Sequence, residues 1–504
     1  MGNLPDKVEY ISQLNGGLRL DVPSTLMKST FSTGMKNVKV TKSSLKCRNG
    51  YDTIGNNLPL GSPISTLRQF RSYDGTVHTV VFTHDGIYEL LNDGTLSSIT
   101  GTITWNSGYS NPSKVSFIQN TLLATDFSNE IIEWDGSSSE FSTISTSVEY
   151  KARDLIAFKN RMMYVNLIED GNTVPQRVRW TQIGTYDNFT DGYAGFVDLV
   201  DTPDEIMAVE PLGESVVIYK ENSIVLASWI GGKNVFSFNT KINERGLVAP
   251  RAVVNLGNSH LFLSHDNVYR YSGGSTIESV SDPIEVEMPD LIDSNFIDRS
   301  IATVYGEEVW FIVPMDSEIP DTAYVYNYKQ NFWYRHKIST TGIGTFVNPD
   351  NKTIGSLKGD IGSLGGRIGN LEASNIRPNI VIGDKDGYVY QIDSSSSTDN
   401  GTKIENYWDS KDFVLGEEYK TRYNRFRSID FDARGDSLEV LYSTDGGESW
   451  NYIGETKLDS SYEWYTLWFD TSARKIRFRF RNYNTSETFS LRTFKIVYRE
   501  GATR

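Results

Sequence analysis

Short apolar runs of strand length, separated by polar turns, recur along most of this chain. Between residues 154 and 288 they read LIAF, RMMYVN, VRW, IMAVEPL, SVVIYK, SIVLAS and HLFLS. None keeps the three-and-four spacing of an amphipathic helix, so strands are predicted almost throughout. The runs come in groups of four, and four strands with tight turns make one blade of a β-propeller. Group starts fall at Ile64, Val115, Leu155, Ile206, Ala252 and Ile301, which are 51, 40, 51, 46 and 49 residues apart. A further unit, NIVIGDKDGYVYQID, lies near Ile380. The expected fold is all-β: a six- or seven-bladed propeller over 61–400, followed by a β-sandwich.

Three turns repeat at comparable places: His84-Asp85-Gly86, His265-Asp266-Asn267 and Lys385-Asp386-Gly387. Asp-Gly and Asp-Asn tolerate positive φ, as tight hairpins require, and each turn is followed by a Tyr able to pack between blades. Residues 1–60 are polar and read as an arm with a few strands. An insertion at about 355–377 carries six glycines between Gly355 and Gly369. Glycine loses much backbone entropy on ordering, so this segment reads as a projecting loop. Its apolar residues, Leu357, Ile361, Leu364, Ile368 and Leu371, make it a candidate gate or contact element. From about residue 401 the runs SLEVLYS, WYTLWF, KIRFRFRNY and RTFKIVYRE alternate, as sandwich strands do.

Aromatics at 12% and 42 glycines suit such strands and turns. The single cysteine, Cys47, excludes an internal disulfide and a thiolate zinc cluster. The start MGNLPDKVEY has no basic or apolar leader, and no apolar run is long enough to span a membrane, so synthesis in a cytoplasm and no membrane insertion are expected. The net charge of −15 is uneven: residues 401–504 hold 17 basic and 17 acidic residues, so 1–400 carry the whole excess. A DNA-gripping surface is basic. This one suits solubility, or a conduit that DNA passes without sticking.

Chemistry-bearing motifs are sparse. There is no H-E-x-x-H, G-x-S-x-G or phosphate loop, and the five histidines are scattered, so no catalytic residue, cofactor or metal is expected. Ser443 to Trp450, STDGGESW, resembles an Asp-box, a turn in which Asp445 binds amides and Trp450 plugs the core. Asp-boxes occur in sialidase propellers, which leaves a carbohydrate-binding or sialidase-like receptor-binding protein as the alternative function, and a cytosolic scaffold as a third. In KIRFRFRNY, alternation places Ile476, Phe478 and Phe480 inward and Lys475, Arg477, Arg479 and Arg481 outward. The outward set is a candidate docking face for an acidic partner.

Over residues 40–290 an ordered series of short motifs resembles the tail nozzle, or tail hub, proteins of short-tailed bacteriophages. It comprises Arg48-Asn49-Gly50-Tyr51, the turn and strand from Ser72 to Tyr88, Glu133 with Trp134-Asp135-Gly136, and Lys159-Asn160-Arg161. Val178 to Phe189, Pro211 to Lys220 and Gly246 to Asn255 follow. The resemblance implies a structural virion protein, one subunit of a ring that is typically sixfold. Such a ring lies below the portal and adaptor, contacts tail fibres or a tail needle, retains packaged double-stranded DNA and lets it pass at ejection. The last hundred residues lie outside the resemblance.

Overall fold

The computed structural model describes residues 5–55, 58–146, 148–346, 379–392, 395–416, 423–483 and 486–501. Seven sheets of antiparallel strands follow one another around an axis. Blade 1 comprises Ile64–Arg71, Val77–Thr83, Ile87–Leu90 and Leu96–Ser98. Blade 2 starts at Lys114, blade 3 at Tyr150, blade 4 at Ile206, blade 5 at Val253 and blade 6 at Ile301. The expected starts at Ile64, Ile206 and Ile301 fall on the first strand residue, and the others fall within five. Blade 7 opens with Gly342–Phe346 and continues through Asn379–Gly383 and Val389–Ile392. The only α-helix among the described residues is the four-residue Met288–Leu291.

The middle strands of a blade are covered on both faces by neighbouring blades, so they read as continuous apolar runs rather than alternating ones. Glu308–Val313 and Thr322–Asn327 in blade 6 are buried at every position. Between blades 7 and 1 the first strands approach so closely that side chains do not fit. A Cβ on Gly342 would lie 2.6 Å from the Ile64 carbonyl oxygen, and one on Gly344 2.4 Å from that of Leu67.

Positive φ is used differently from expectation. Of the three repeated turns only Gly387 adopts it, at 90°. At Gly86 the amide instead donates to the Thr83 hydroxyl at 2.9 Å. Two two-residue hairpins of blade 3 do need positive φ: Lys159-Asn160, at 50° and 57°, and Asp170-Gly171, at 49° and 77°. Tyr88 packs with Ile64 and Val389, between blades 1 and 7.

Residues 7–53, expected as an arm, are instead woven into three parts of the molecule. Lys7–Ile11 pairs with Phe489–Glu500 of the sandwich, and Val38–Val40 and Leu45–Cys47 extend that same sheet. Gly34–Lys36 edges the second sandwich sheet, whose remaining strands are Asn406–Asp409, Arg477–Asn482, Ser437–Ser443 and Asn451–Lys457. Gly17–Leu18 and Phe31–Ser32 cap blade 6. Tyr51–Thr53 supplies the outer strand of blade 7, with Ile392 opposite Tyr51. The propeller is thereby closed by its own chain start. Polar residues bordering these short strands disguise them in sequence, because their burial comes from partners more than 300 residues away.

Arg48 fastens this closure. It is 6% exposed. Its guanidinium donates to both Asp399 carboxylate oxygens at 2.8 and 2.5 Å, to Asn37 Oδ1 at 2.9 Å and to the Lys337 carbonyl at 2.9 Å. Gly50 lies against the next strand so tightly that a Cβ would sit 1.8 Å from the Thr398 carbonyl oxygen.

Candidate functional site

The first strands of the blades line the propeller axis, and charged side chains cross it. Arg251, just ahead of the first strand of blade 5, donates to the carbonyls of Ser65 in blade 1 at 2.6 Å and Thr341 beside blade 7 at 2.9 Å. Lys114 of blade 2 donates to Asp154 of blade 3 at 3.1 Å and to the Pro250 carbonyl at 2.7 Å. Asp154 also accepts from the Val209 amide of blade 4 at 3.1 Å. These groups tie six blades together and obstruct the axial opening. Burial pushes the Arg251 guanidinium down to about 10, still charged at neutral pH.

Glu210 lies on the same lining. Loss of water around it pushes its carboxyl from 4.5 up to about 7; Asp154 adds to this, and Lys114 and Arg68 oppose it. With the folded value above the unfolded one, the folded protein takes up a proton between about pH 4.5 and 7 and loses stability as pH rises through that window. Glu210→Gln is therefore expected to be more stable than wild type by on the order of 2 kcal/mol at pH 8, and equal to it near pH 4. Urea melts at the two pH values check this; an equal effect at both would be the wrong result.

The candidate docking face is placed as alternation predicted, with Ile476, Phe478 and Phe480 buried. Its charges, however, are matched within the domain. Arg477 holds Asp412 through two bonds of 3.0 Å, Arg479 holds Asp409 at 2.6 and 2.7 Å, and Arg481 holds Glu439 at 2.5 Å. Lys475 lies 3.7 Å from Asp412. The carboxylates come from neighbouring strands that the sequence pattern of one strand does not reveal. In the Asp-box turn, Asp445 accepts from Ser449 and Ser443, which hold its carboxyl below the usual range. Trp450 does not plug the core. It lies on the outer face, with the Arg479 guanidinium 4.2 Å from its ring.

The candidate gate residues Leu357, Ile361, Leu364, Ile368 and Leu371 lie outside the described residues; Phe346 and Asn379, on either side, are cross-strand partners. Among the described residues no group of three or more His, Cys, Asp or Glu is placed to hold a metal. No helix among the described residues is long and apolar enough to cross a membrane.

One constellation was not visible in sequence. His78 Nδ1 lies 2.7 Å from Glu89, and its Nε2 lies 3.3 Å from the Ser72 hydroxyl. This has the outline of a nucleophile, base and orienter. The Ser72 proton, though, goes to Asp74 at 2.6 Å, and that bond is the first cause of Asp74's lowered carboxyl. His78 also stacks on Phe70 and meets Trp134 edge-on. The serine is thus a turn clamp, not an activated nucleophile.

The motif residues singled out in sequence serve similar ends. Lys220 is fully buried, donating to the carbonyls of Leu199 at 3.0 Å and Thr202 at 2.8 Å and pairing with Asp204 at 3.1 Å. Trp134 and Trp180 donate from their indoles to Ser138 and Tyr193 carbonyls, and Arg161 reaches the Thr181 carbonyl at 2.5 Å.

These features define the chain as a seven-bladed β-propeller interwoven with a β-sandwich. No protein-family model matches it, and no curated protein sequence matches it significantly. Solved structures similar to it include the computationally designed Ika8 protein, at 13% identity over 75% of this chain and 99% of that one, with a TM-score of 0.37. YCF48 from Cyanidioschyzon merolae is 12% identical over 68% and 98%, with a TM-score of 0.38. BamB from Moraxella catarrhalis is 9% identical over 76% and 97%, with a TM-score of 0.37. The blade count rests on the strand pairing described above.

Proposed function

We propose that this protein is a structural subunit of the tail nozzle ring of a short-tailed bacteriophage, made in the host cytoplasm and resident in the virion tail. The reading is carried by the ordered motif series from Arg48 to Asn255, which runs from the closing clasp through blades 1 to 5 and falls on residues that hold the propeller together. A conduit wall needs a rigid body rather than a reactive site, and blades bound to one another across a blocked axis supply one. The DNA path is then the lumen between subunits, since Arg251 and Lys114 obstruct the propeller's own axis. The excess of acidic residues in 1–400 keeps duplex DNA from adhering, because each basic phosphate contact would add salt-dependent affinity. The ring's neighbours are the adaptor and portal above and tail fibres or a needle below.

Electron microscopy of tailed particles tests this. The expected result is a ring of copies, six in the typical case, below the adaptor. A single copy per tail, or none, would falsify the proposal.

A further inference from the structure

The sandwich sheet opposite the paired arginines has a different surface. In Glu463–Ala473, EWYTLWFDTSA, alternation turns Tyr465, Leu467 and Phe469 inward, where Tyr465 stacks on Phe431 and Phe469 meets Phe478 edge-on. Trp464, Thr466, Trp468 and Asp470 face outward. Trp468 is 72% exposed, Trp464 46%, and Tyr10 on the strand Lys7–Ile11 is 52%. Cross-strand register joins them: Asp432 lies opposite Trp464, and Lys495 lies opposite both Asp430 and Tyr10. The Lys495 ammonium sits 4.0 Å from the Trp464 ring centre and 5.8 Å from that of Tyr10.

The same face continues toward the propeller. Tyr462 is flanked by the guanidinium groups of Arg492 at 3.5 Å and Arg434 at 4.7 Å, and its hydroxyl lies 2.7 Å from that of Ser490. Arg434, Ser490 and Lys46 are successive cross-strand partners. They line a cleft of about 440 Å³ whose far wall includes Ser396. Cys47 also borders the cleft, but burial pushes its thiol up to about 12, so it offers no thiolate there. Lys46, Arg434, Arg492 and Lys495 form no ion pair among the described residues, whereas the arginines of the other sheet all do.

We propose that this face binds an acidic polysaccharide, with its rings on Trp464, Trp468 and Tyr10 and its carboxylates at Lys46, Arg434 and Arg492. Flat exposed aromatic rings suit the apolar faces of pyranoses, and the two tryptophans, four residues apart on one strand, are about 13 Å apart. Asp430 and Thr466, opposite each other, lie between them, Asp432 lies beside Trp464, and all three accept hydrogen bonds from sugar hydroxyls. The unpaired cations supply the charge complementarity for acidic groups. A single-stranded nucleic acid would bring phosphates to the same cations, and it is the alternative that the titration separates. The inference does not depend on the nozzle reading: a ring without glycan binding, or glycan binding without a ring, separates the two.

The test is calorimetric titration of the full chain with three acidic probes: hexagalacturonate, hyaluronan hexasaccharide and sialic-acid hexamer. Cellohexaose and a dT20 oligonucleotide serve as competitors of other chemistry. At least one acidic glycan should bind ten-fold or more tightly than cellohexaose, and more weakly at 300 mM than at 50 mM salt. Trp464→Ala with Trp468→Ala, and separately Arg434→Gln with Arg492→Gln, should each weaken it ten-fold or more. All four side chains lie on the outer face, where each double variant removes cation–π contacts worth about 1 kcal/mol, so thermal melts should show only a small loss and the variants stay folded at the titration temperature. No acidic probe binding at 5 mM, equal binding of cellohexaose, tighter binding of dT20, or unchanged affinity in both double variants each overturns the proposal.

Discussion

Arg48→Met will destabilise the protein by about 3–5 kcal/mol, the cost of leaving one partner of a buried ion pair behind. The side chain is 4% exposed, and its fork holds Asp399, Asn37 and the Lys337 carbonyl, which belong respectively to the strands beyond blade 7, the sandwich side of the chain start, and blade 6. Methionine fills similar volume but donates nothing, so the Asp399 carboxylate keeps its charge without its counter-ion. Propeller closure and sandwich attachment should weaken in one transition, because one residue serves both. Adding Asp399→Leu to the variant should recover part of the loss, since the stranded charge is then gone. Denaturant melts of the two single variants and the double variant check this. A single-variant loss below about 1 kcal/mol would show that the clasp is ornamental.

Lys220→Met is expected to cost a similar 3–5 kcal/mol, for a related reason with a distinct pH signature. The ammonium is fully buried, with two carbonyls, the Thr202 hydroxyl and Asp204 around it. In wild type the Asp204 carboxyl is held below its usual range. A depressed folded value contributes stability above the unfolded value, and that contribution is lost as pH falls through the folded one. Without Lys220 the carboxylate keeps the Thr202 hydroxyl, the Asn222 amide at 2.9 Å and the Ser223 hydroxyl at 3.0 Å but no counter-ion, and burial raises its value. The variant's deficit should therefore be largest near pH 7 and shrink toward pH 4, where protonation relieves the stranded charge. A deficit that is flat with pH would assign the loss to packing alone.

What the sequence made legible follows from where each signal resides. Blade middles are covered on both faces by neighbours, so their apolar runs survive as contiguous letters, and the starts at Ile64, Ile206 and Ile301 could be read directly. The seventh blade was obscured because its first strand, Gly342–Phe346, contains two glycines demanded by contact with Ile64 and Leu67, and glycine reads as turn. The chain start was read as an arm because two- and three-residue strands carry no period. The basic strand illustrates a different gap. Its alternation was correctly read, but its charge state depends on Asp409, Asp412 and Glu439 on other strands. The unpaired cations on the opposite sheet, Lys46, Arg434, Arg492 and Lys495, are far apart in sequence and only register brings them together.

The weaving of the chain start into the sandwich also sets the order in which the molecule can be made. Lys7 meets Glu500 across 493 positions, and Tyr51 waits for Ile392. A ribosome adding roughly 5–20 residues per second takes on the order of tens of seconds to deliver those partners. Until then Lys7–Ile11 and Tyr51–Thr53 have no sheet to join, and the outer strand of the seventh blade waits for the blade itself. Blades 1 to 6 can stack as they appear; the ring of blades closes once Val389–Ile392 reaches Tyr51–Thr53, and the sandwich takes up Lys7–Ile11 only when Phe489–Glu500 is released. A nascent chain interrupted before Val389 is consequently an open ring, and one interrupted between Ile392 and Phe489 is a closed ring with a loose leading strand.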